Sequence, residues 1–247
     1  MIKEAIEKIV SLATPQTYEI NGDTYATSQM TRIAPHVARP QCAKFMSLDG
    51  IVQALRTEIS RDEIHKPVFV HVESPTHVIA FTTYRTDNMA RDILYEASPA
   101  LPKGFSEWAG HDDAIIMLRS QFVPNGDIDY LLDLLSRISS EDSVTSEDNG
   151  VSQKVSATVG VALKNFEKIK PRVLLAPFRT FFEVEQPESE FILRINGGDK
   201  ESGKPPQIGI IEADGGAWKL AAKKSIADYF RKEISDLVTQ RKVIVAE

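Results

Sequence analysis

The stretch KPVFVHVESPTHVIAFTTY, residues 66–84, has the clearest strand pattern in the sequence. Val68, Val70 and Val72 alternate with Phe69 and His71, which is the period of a strand with one buried face. After SPT the chain resumes with the apolar run 78–81. The pattern predicts two antiparallel strands joined by a tight turn, the strongest β-hairpin signal in the chain.

The segments around this hairpin predict both helices and strands. Apolar residues recur at helical spacing in 2–12, in 47–59 with Ser47 as its N-cap, in 127–138 with Asp127 as its cap, and in 217–238. Strand-like runs occupy 18–27 around Asn21-Gly22, 91–97, 151–163, 172–186, 190–196 and 206–213. Because strands and helices do not alternate one for one, we expect an α+β fold, a mostly antiparallel sheet with flanking helices that can divide into two lobes.

One polar stretch divides the chain. Residues 139–153, SSEDSVTSEDNGVSQ, are acidic and nearly free of large apolar groups, which is typical of a linker or loop. We therefore predict an N-terminal α+β lobe over 1–138 and a β-rich C-terminal lobe over 154–247 that ends in a helix.

Composition narrows the class of protein. The 247 residues carry a net charge of −6, and duplex binding by charge alone needs clustered Lys and Arg. The basic excess falls in residues 160–247, so an anion-binding surface is expected there. The single cysteine, Cys42, fits a reducing cytoplasm and is expected as a small apolar residue. No apolar run approaches the roughly 20 residues that span a bilayer, so we expect no membrane contact and a cytoplasmic location.

Two histidines raise the question of a metal. A two-residue turn at Ser74-Pro75 would pair His77 with Val72 and place the two imidazoles on opposite faces. A three-residue turn at 73–75 would pair His71 with His77 on one face, where they could hold zinc with a further ligand. The favoured interpretation is structural, and the metal site is the alternative.

Glycines and basic residues supply candidate ligand-binding positions. ADGGAW, residues 213–218, precedes the last helix, where free N–H groups could hold an anion; the alternative is a turn with Asp214 near the helix start. Basic residues with interleaved Phe could grip a nucleotide or single strand by charge and stacking, although core and solvated-face roles are commoner. The candidates are Lys164, Lys168, Lys170, Arg172, Arg179, Gly215, Gly216, Lys223 and Lys224.

The order of segments resembles the YfdQ-like domain family of phages and prophages. The resemblance is carried by SLDGIVQAL from residue 47, the PVFVHV hairpin, a Trp-bearing loop leading to SQF at 120–122, and DIDYLLDLLSRI. A polar break then precedes VSQKVSATVG and a β-rich C-terminal half. The resemblance implies a phage-encoded intracellular protein, and it implies no catalytic residues.

No Ser/His/Asp elbow or other converging catalytic set is evident in the sequence. We expect a phage-encoded accessory binding protein without catalytic residues or cofactor. It would form a homo-oligomer and act on a host or phage macromolecule, with a nucleotide or nucleic acid possible, or on a small anionic ligand. The alternatives are a metal-dependent hydrolase built on His71 and His77, and a phage assembly or virion component.

Overall fold

The computed structural model describes residues 2–20, 23–27, 39–61, 64, 66–85, 89–137, 143–148, 153–159, 162–165, 169–196 and 206–247. The chain divides into two compact units, Met1–Arg39 and Pro40–Glu247. The first unit contains helix α1 (Ile2–Ala13) and the antiparallel strands β1 (Thr17–Ile20) and β2 (Asp23–Ala26).

The second unit contains, in chain order, β3 (Ala43–Phe45), α2 (Leu48–Ser60), β4 (Val68–Ser74), β5 (His77–Thr82), β6 (Ile93–Ala97), β7 (Trp108–Gly110), α3 (His111–Gln121), α4 (Gly126–Arg137), β8 (Ser143–Asp148), β9 (Gln153–Val159), β10 (Ala162–Asn165), β11 (Arg172–Leu175), β12 (Ser189–Asn196), β13 (Gln207–Glu212), α5 (Ala217–Glu233), α6 (Ser235–Thr239) and β14 (Val243–Ala246).

A five-stranded sheet in the order β14-β4-β5-β6-β3 forms around the predicted hairpin. Its inner pairs are antiparallel, and the two edge strands pair in parallel with their neighbours. The valines of β4 are fully buried against α2, α5 and α6. Burying one such side chain contributes about 1.5–3 kcal/mol, so this face drives the packing of the three helices onto the sheet.

A second, antiparallel sheet has the order β11-β12-β13-β7 and packs with α3 and α4 around its own core. Phe105, Phe122 and Phe191 meet in this core with ring centroids 5.3–6.3 Å apart. Strands β8, β9 and β10 form a third, antiparallel sheet. The α+β class with mostly antiparallel strands is therefore confirmed.

The predicted linker does not divide the structure. β14, from the end of the chain, pairs with β4, and β7 pairs with β13, so strands from both sides of residues 139–153 share sheets. The stretch itself contains β8, which pairs with β9. The compositional break misled because a strand rich in Ser, Thr and acidic residues has the same composition as a loop.

Of the helix predictions, one cap is confirmed, while the cap of α4 and the extent of the last helix need correction. Ser47 does cap α2, since its Oγ accepts the Gly50 N–H at 3.2 Å. The cap of α4 is Asn125, whose Oδ1 accepts the N–H groups of Asp127 and Ile128, and not Asp127. The last helix is broken at Ile234, where φ is −118°, into α5 and α6. Within the described residues, no helix has the length and apolar character needed to cross a membrane.

Candidate functional site on the outer face of the five-stranded sheet

The alternation that buries the valines turns another set of side chains outward. We call this surface the outer face; on β4 and β5 it presents Phe69, His71, His77, Ile79 and Phe81, all half-buried. Val68, Val70, Val72, Val78, Ala80 and Thr82 face the core instead. The described helices that contact this sheet lie on the core side, and the side chains of the outer face keep part of their surface exposed.

One end of the outer face is aromatic. Phe69 and Phe81 are a cross-strand pair whose rings stack at 5.6 Å and 15°. The Arg91 guanidinium lies 5.4 and 5.1 Å from their centroids and 4.2 Å from that of Tyr84. Tyr84 is 54% exposed and Arg91 is also exposed. We call Phe69, Phe81, Tyr84 and Arg91 the aromatic end.

A β-bulge helps to place Arg91 there. Ala80 pairs with Tyr95 but Phe81 pairs with Ile93, so Leu94 is an extra residue in β6. Leu94 and Tyr95 can then both enter the core, while Ile93 stays 46% exposed beside Phe81. Arg91 also donates to the carbonyl of Thr82 at 3.2 Å, which holds its guanidinium over the rings.

Exposed cations border the aromatic end. The N–H of Val68 donates to the carbonyl of Lys242 at 3.0 Å, so β4 and β14 begin side by side. Lys66, Arg241 and Lys242 therefore lie at the end of the sheet at which β4 and β14 begin, close to Phe69 in the chain or across the strands, and all three are exposed. None of the three has an ion pair with another described residue. We call them the basic rim.

The opposite end of the outer face carries an ion-pair network. His77 Nδ1 lies 2.5 Å from Glu73 Oε2, and its Nε2 lies 2.8 Å from Glu96 Oε1. Lys44 Nζ contacts Glu96 Oε2 at 3.1 Å. The hydrogen bonds to Glu96 and then to Glu73 raise the pKa of His77. The hydrogen bonds that Glu96 accepts from His77 and Lys44 lower the pKa of Glu96.

The hairpin has neither of the two turn geometries considered from the sequence. The turn is Pro75-Thr76, Ser74 pairs with His77, and a bulge at Glu73 restores the register so that His71 faces Ile79. The two imidazoles share the outer face but are not a cross-strand pair. No group of three or more His, Cys, Asp or Glu side chains within the described ranges could hold a metal ion, and His65 lies outside those ranges.

The proposed anion site at the start of α5 is occupied by the chain's own carboxylate. Asp214 accepts the N–H groups of Gly216 at 2.8 Å and Trp218 at 3.2 Å, and the hydroxyl of Ser189 at 2.5 Å. Although burial alone would raise the pKa of Asp214, these hydrogen bonds and Arg179 lower it. Gly215 and Gly216 have φ values of 64° and 82°, so they serve a left-handed turn that brings Asp214 to the helix start.

Arg179 is a structural residue in the same region. Its guanidinium lies 4.0 Å from the Trp218 ring and donates to Glu212, to Ser189 and, at 3.0 Å, to the carbonyl of Pro187. Burial lowers the pKa of Arg179, and the ion pair with Glu212 opposes that effect. A ligand could reach this group only by displacing a buried ion pair.

The remaining basic candidates do not gather at one place. Lys170 Nζ contacts Asp127 Oδ1 at 3.0 Å, and Arg172 contacts both oxygens of Glu190 at 3.0 and 3.1 Å. Lys223 and Lys224 lie on α5. Lys168 and the side chain of Lys164 lie outside the described residues. The prediction of one basic surface in the last third is therefore not supported by the described side chains.

Sequence reasoning missed the aromatic end, although a signal for it was present. In a one-sided strand the solvent-facing phase is usually polar, and here that phase carries Phe69 and Phe81. Large aromatic groups at positions that face solvent are the signal from which such a surface can be predicted. The participation of Arg91 had no such signal, because it depends on the bulge in β6.

The site offers no activated nucleophile among these groups. Burial and then Glu96 raise the pKa of Cys42, whose Sγ lies 3.7 Å from the carbonyl of Ala43. A raised thiol pKa lowers the thiolate fraction, which is the reactive form. Among the described side chains, the outer face presents aromatic rings that can stack and charged groups that can form ion pairs.

Comparison with protein-family models, with curated proteins and with solved structures gave no match to this chain. The resemblance to the YfdQ-like domain family stays a prediction, as does the homo-oligomer.

Proposed function

We propose that the chain is a phage-encoded accessory binding protein without catalytic activity, and that it holds an anionic ligand with a planar ring at the aromatic end. The observation that carries the proposal is the position of Arg91. Its guanidinium contacts three aromatic rings, one of them 54% exposed, beside three exposed cations.

The two halves of such a ligand match two parts of the surface. A planar ring stacks on Tyr84 and on the guanidinium plane of Arg91, which combines π-stacking with cation–π attraction. A phosphate is attracted to the exposed Lys66, Arg241 and Lys242, which lie at the edge of the same surface. A nucleotide carries both groups in one molecule.

Local charge decides this attraction despite the net charge of −6. The Debye length is about 8 Å at physiological ionic strength, so exposed carboxylates farther than that from the basic rim are largely screened. Asp92, the acidic residue next to Arg91 in the chain, contacts Arg85 Nη1 at 3.2 Å through both of its oxygens, and none of the three cations of the basic rim forms an ion pair with a described carboxylate. Lys66, Arg241 and Lys242 are therefore available to a phosphate.

The test is an NMR titration with adenosine 5′-monophosphate. We expect saturable shifts at Tyr84, Phe69, Phe81 and Arg91, and their loss in Arg91→Ala. Arg119→Ala, at an exposed position of α3, is the matched control and should titrate like the wild type. Ribose 5-phosphate, which has the charge without the ring, should bind more weakly.

Two results would contradict the proposal. One is the absence of saturable shifts at the aromatic end. The other is a set of shifts that maps instead to Gly215 and Gly216 or to Lys170 and Arg172. Turnover of the nucleotide that a single substitution abolishes would overturn the non-catalytic part.

A further inference from the structure

We infer that the ligand of the aromatic end is single-stranded nucleic acid, held by two or three nucleotides at a time. This inference rests on the proposed function, because it names the class of ligand for the same surface. It is carried by the distribution of stacking and charged groups over four neighbouring strands.

The surface is wider than one nucleotide. The basic rim lies at the start of β14 and β4, and the stacking groups extend from Phe69 on β4, across Phe81 on β5, to Arg91 before β6. Three strand spacings of about 4.8 Å separate β14 from β6, roughly 14 Å in total. Known sheet surfaces with exposed aromatic residues stack two or three bases.

The arrangement favours a backbone along one side and bases on the other. Phosphates beside Lys66 and Lys242 would leave their bases over Phe69, Phe81 and Tyr84, because cations and rings lie side by side at one end of the sheet. Stacking needs no particular base, since every base has a π face. The described groups therefore predict weak sequence preference.

A duplex does not fit this surface. Paired bases are stacked on each other and present only their edges in the grooves, which admit a helix or a two-stranded ribbon. A broad sheet face enters a groove only where the duplex is bent and its bases are partly unstacked, so on a straight duplex the aromatic rings would have no free base to contact. Duplex affinity would then depend on a few cations in a protein of net charge −6.

The experiment is fluorescence anisotropy with labelled oligothymidine and oligouridine of about 12 nucleotides, within the usual site sizes of about 4–16. The comparison ligands are a duplex of equal length and polyphosphate. We expect the single strands to bind at least about tenfold more tightly than the duplex. Tyr84→Ala should weaken single-strand binding roughly tenfold, the typical loss of one stacking partner.

Charge and stacking are separated by two further variants. Lys242→Ala should reduce the slope of log affinity against log salt by about 1, as expected for one lost phosphate contact. Arg91→Lys keeps the charge but removes the guanidinium plane, so it should lose affinity without a change in that slope. Arg119→Ala, at an exposed position of α3, should leave both quantities unchanged.

The outcomes separate the single-strand inference from the proposed function. Equal affinity for single strand and for duplex or polyphosphate would overturn the inference, as would wild-type affinity in Tyr84→Ala. If adenosine 5′-monophosphate maps to the aromatic end but the oligonucleotides bind no more tightly, the inference falls and the proposed function stands. If neither ligand binds, both fall.

Discussion

His77 is the most highly engaged titratable side chain of the outer face. Both of its nitrogens contact carboxylates, those of Glu73 and Glu96, and Lys44 contacts the second oxygen of Glu96. A doubly bonded imidazole between two carboxylates is stabilised in its charged form, because each nitrogen then donates to an anion. Ion pairs therefore stabilise the hairpin end of the outer face, whereas ring contacts stabilise the aromatic end.

The first prediction concerns pH. Because the folded-state pKa of His77 is raised above its unfolded value of about 6.5, its contribution to stability is fully present below that value and is lost as pH rises through the folded pKa. The pKa of Glu96 is lowered, so its contribution is present above its unfolded value and is lost as pH falls through its folded pKa. Above about pH 6.5 only the loss from His77 operates within this network.

The measurement is urea unfolding of the wild type and His77→Gln from about pH 6 to about pH 9. The stability advantage of the wild type should shrink as the pH rises, since the imidazole loses the proton that binds both carboxylates. Glu96→Gln removes the largest cause of the raised pKa and should flatten the pH dependence in the same way. A constant difference between wild type and His77→Gln across this range would refute the prediction.

At the scale of elements, α2 is fixed at its N-terminus by contacts from three residues. Ser47 caps it, Glu183 accepts the Leu48 N–H at 2.6 Å, and Phe45 packs against Gly50. A carboxylate at this end is favoured by the helix dipole. These contacts join α2 to β3 and to the segment before β12, so the helix orients the core under the five-stranded sheet.

The second prediction uses the closest of these contacts. A Cβ on Gly50 would lie 2.6–2.9 Å from three atoms of Phe45, including its Cβ, which cannot move without the backbone. Helix propensity would favour alanine by up to about 1 kcal/mol, but overpacking of this kind costs about 1–3 kcal/mol. Gly50→Ala should therefore lower the free energy of unfolding in a urea titration.

Gly126→Ala is the matched control, because a Cβ there meets no atom within 4 Å and Gly126 also lies in the first turn of a helix. It should be neutral or slightly stabilising. Equal stability of the two alanine variants would show that Phe45 yields without cost, contrary to the prediction.

Element types were largely predictable because periodicity and turn chemistry act locally. Alternation predicted β4, the apolar run after the turn predicted β5, and a serine before an apolar run predicted the start of α2. The cap of α4 was not predictable in this way. Asp127 has cap chemistry, but its carboxylate accepts the Leu174 N–H at 2.8 Å and contacts Lys170, and both partners are more than 40 positions away. Local rules cannot register that competition.

At the scale of the whole molecule, the candidate site is assembled from distant positions. The basic rim brings Lys66 next to Arg241 and Lys242 through the parallel pairing of β4 with β14. No hydrophobic pattern specifies which strand becomes an edge partner, so the sequence could show Phe69 and Phe81 but not the cations beside them. For the same reason the sequence suggested a basic cluster near residue 170, although in the structure Lys170 pairs with Asp127 and Arg172 pairs with Glu190.

The last prediction follows from the same long-range pairing. Residues 1–138 and 154–247, produced separately, should each fail to unfold cooperatively, because β14 would be separated from β4 and β7 from β13.

Residues 40–247 should fold alone, since the chain divides at Arg39 and every described side chain from Ile2 to Ala26 is exposed. Its Tm should lie within about 4 °C of that of the full chain, the shift that about 1 kcal/mol produces at this size. Calorimetry on the three fragments measures this, and cooperative melting of 1–138 alone would show that the sheets do not depend on the strands from beyond residue 153.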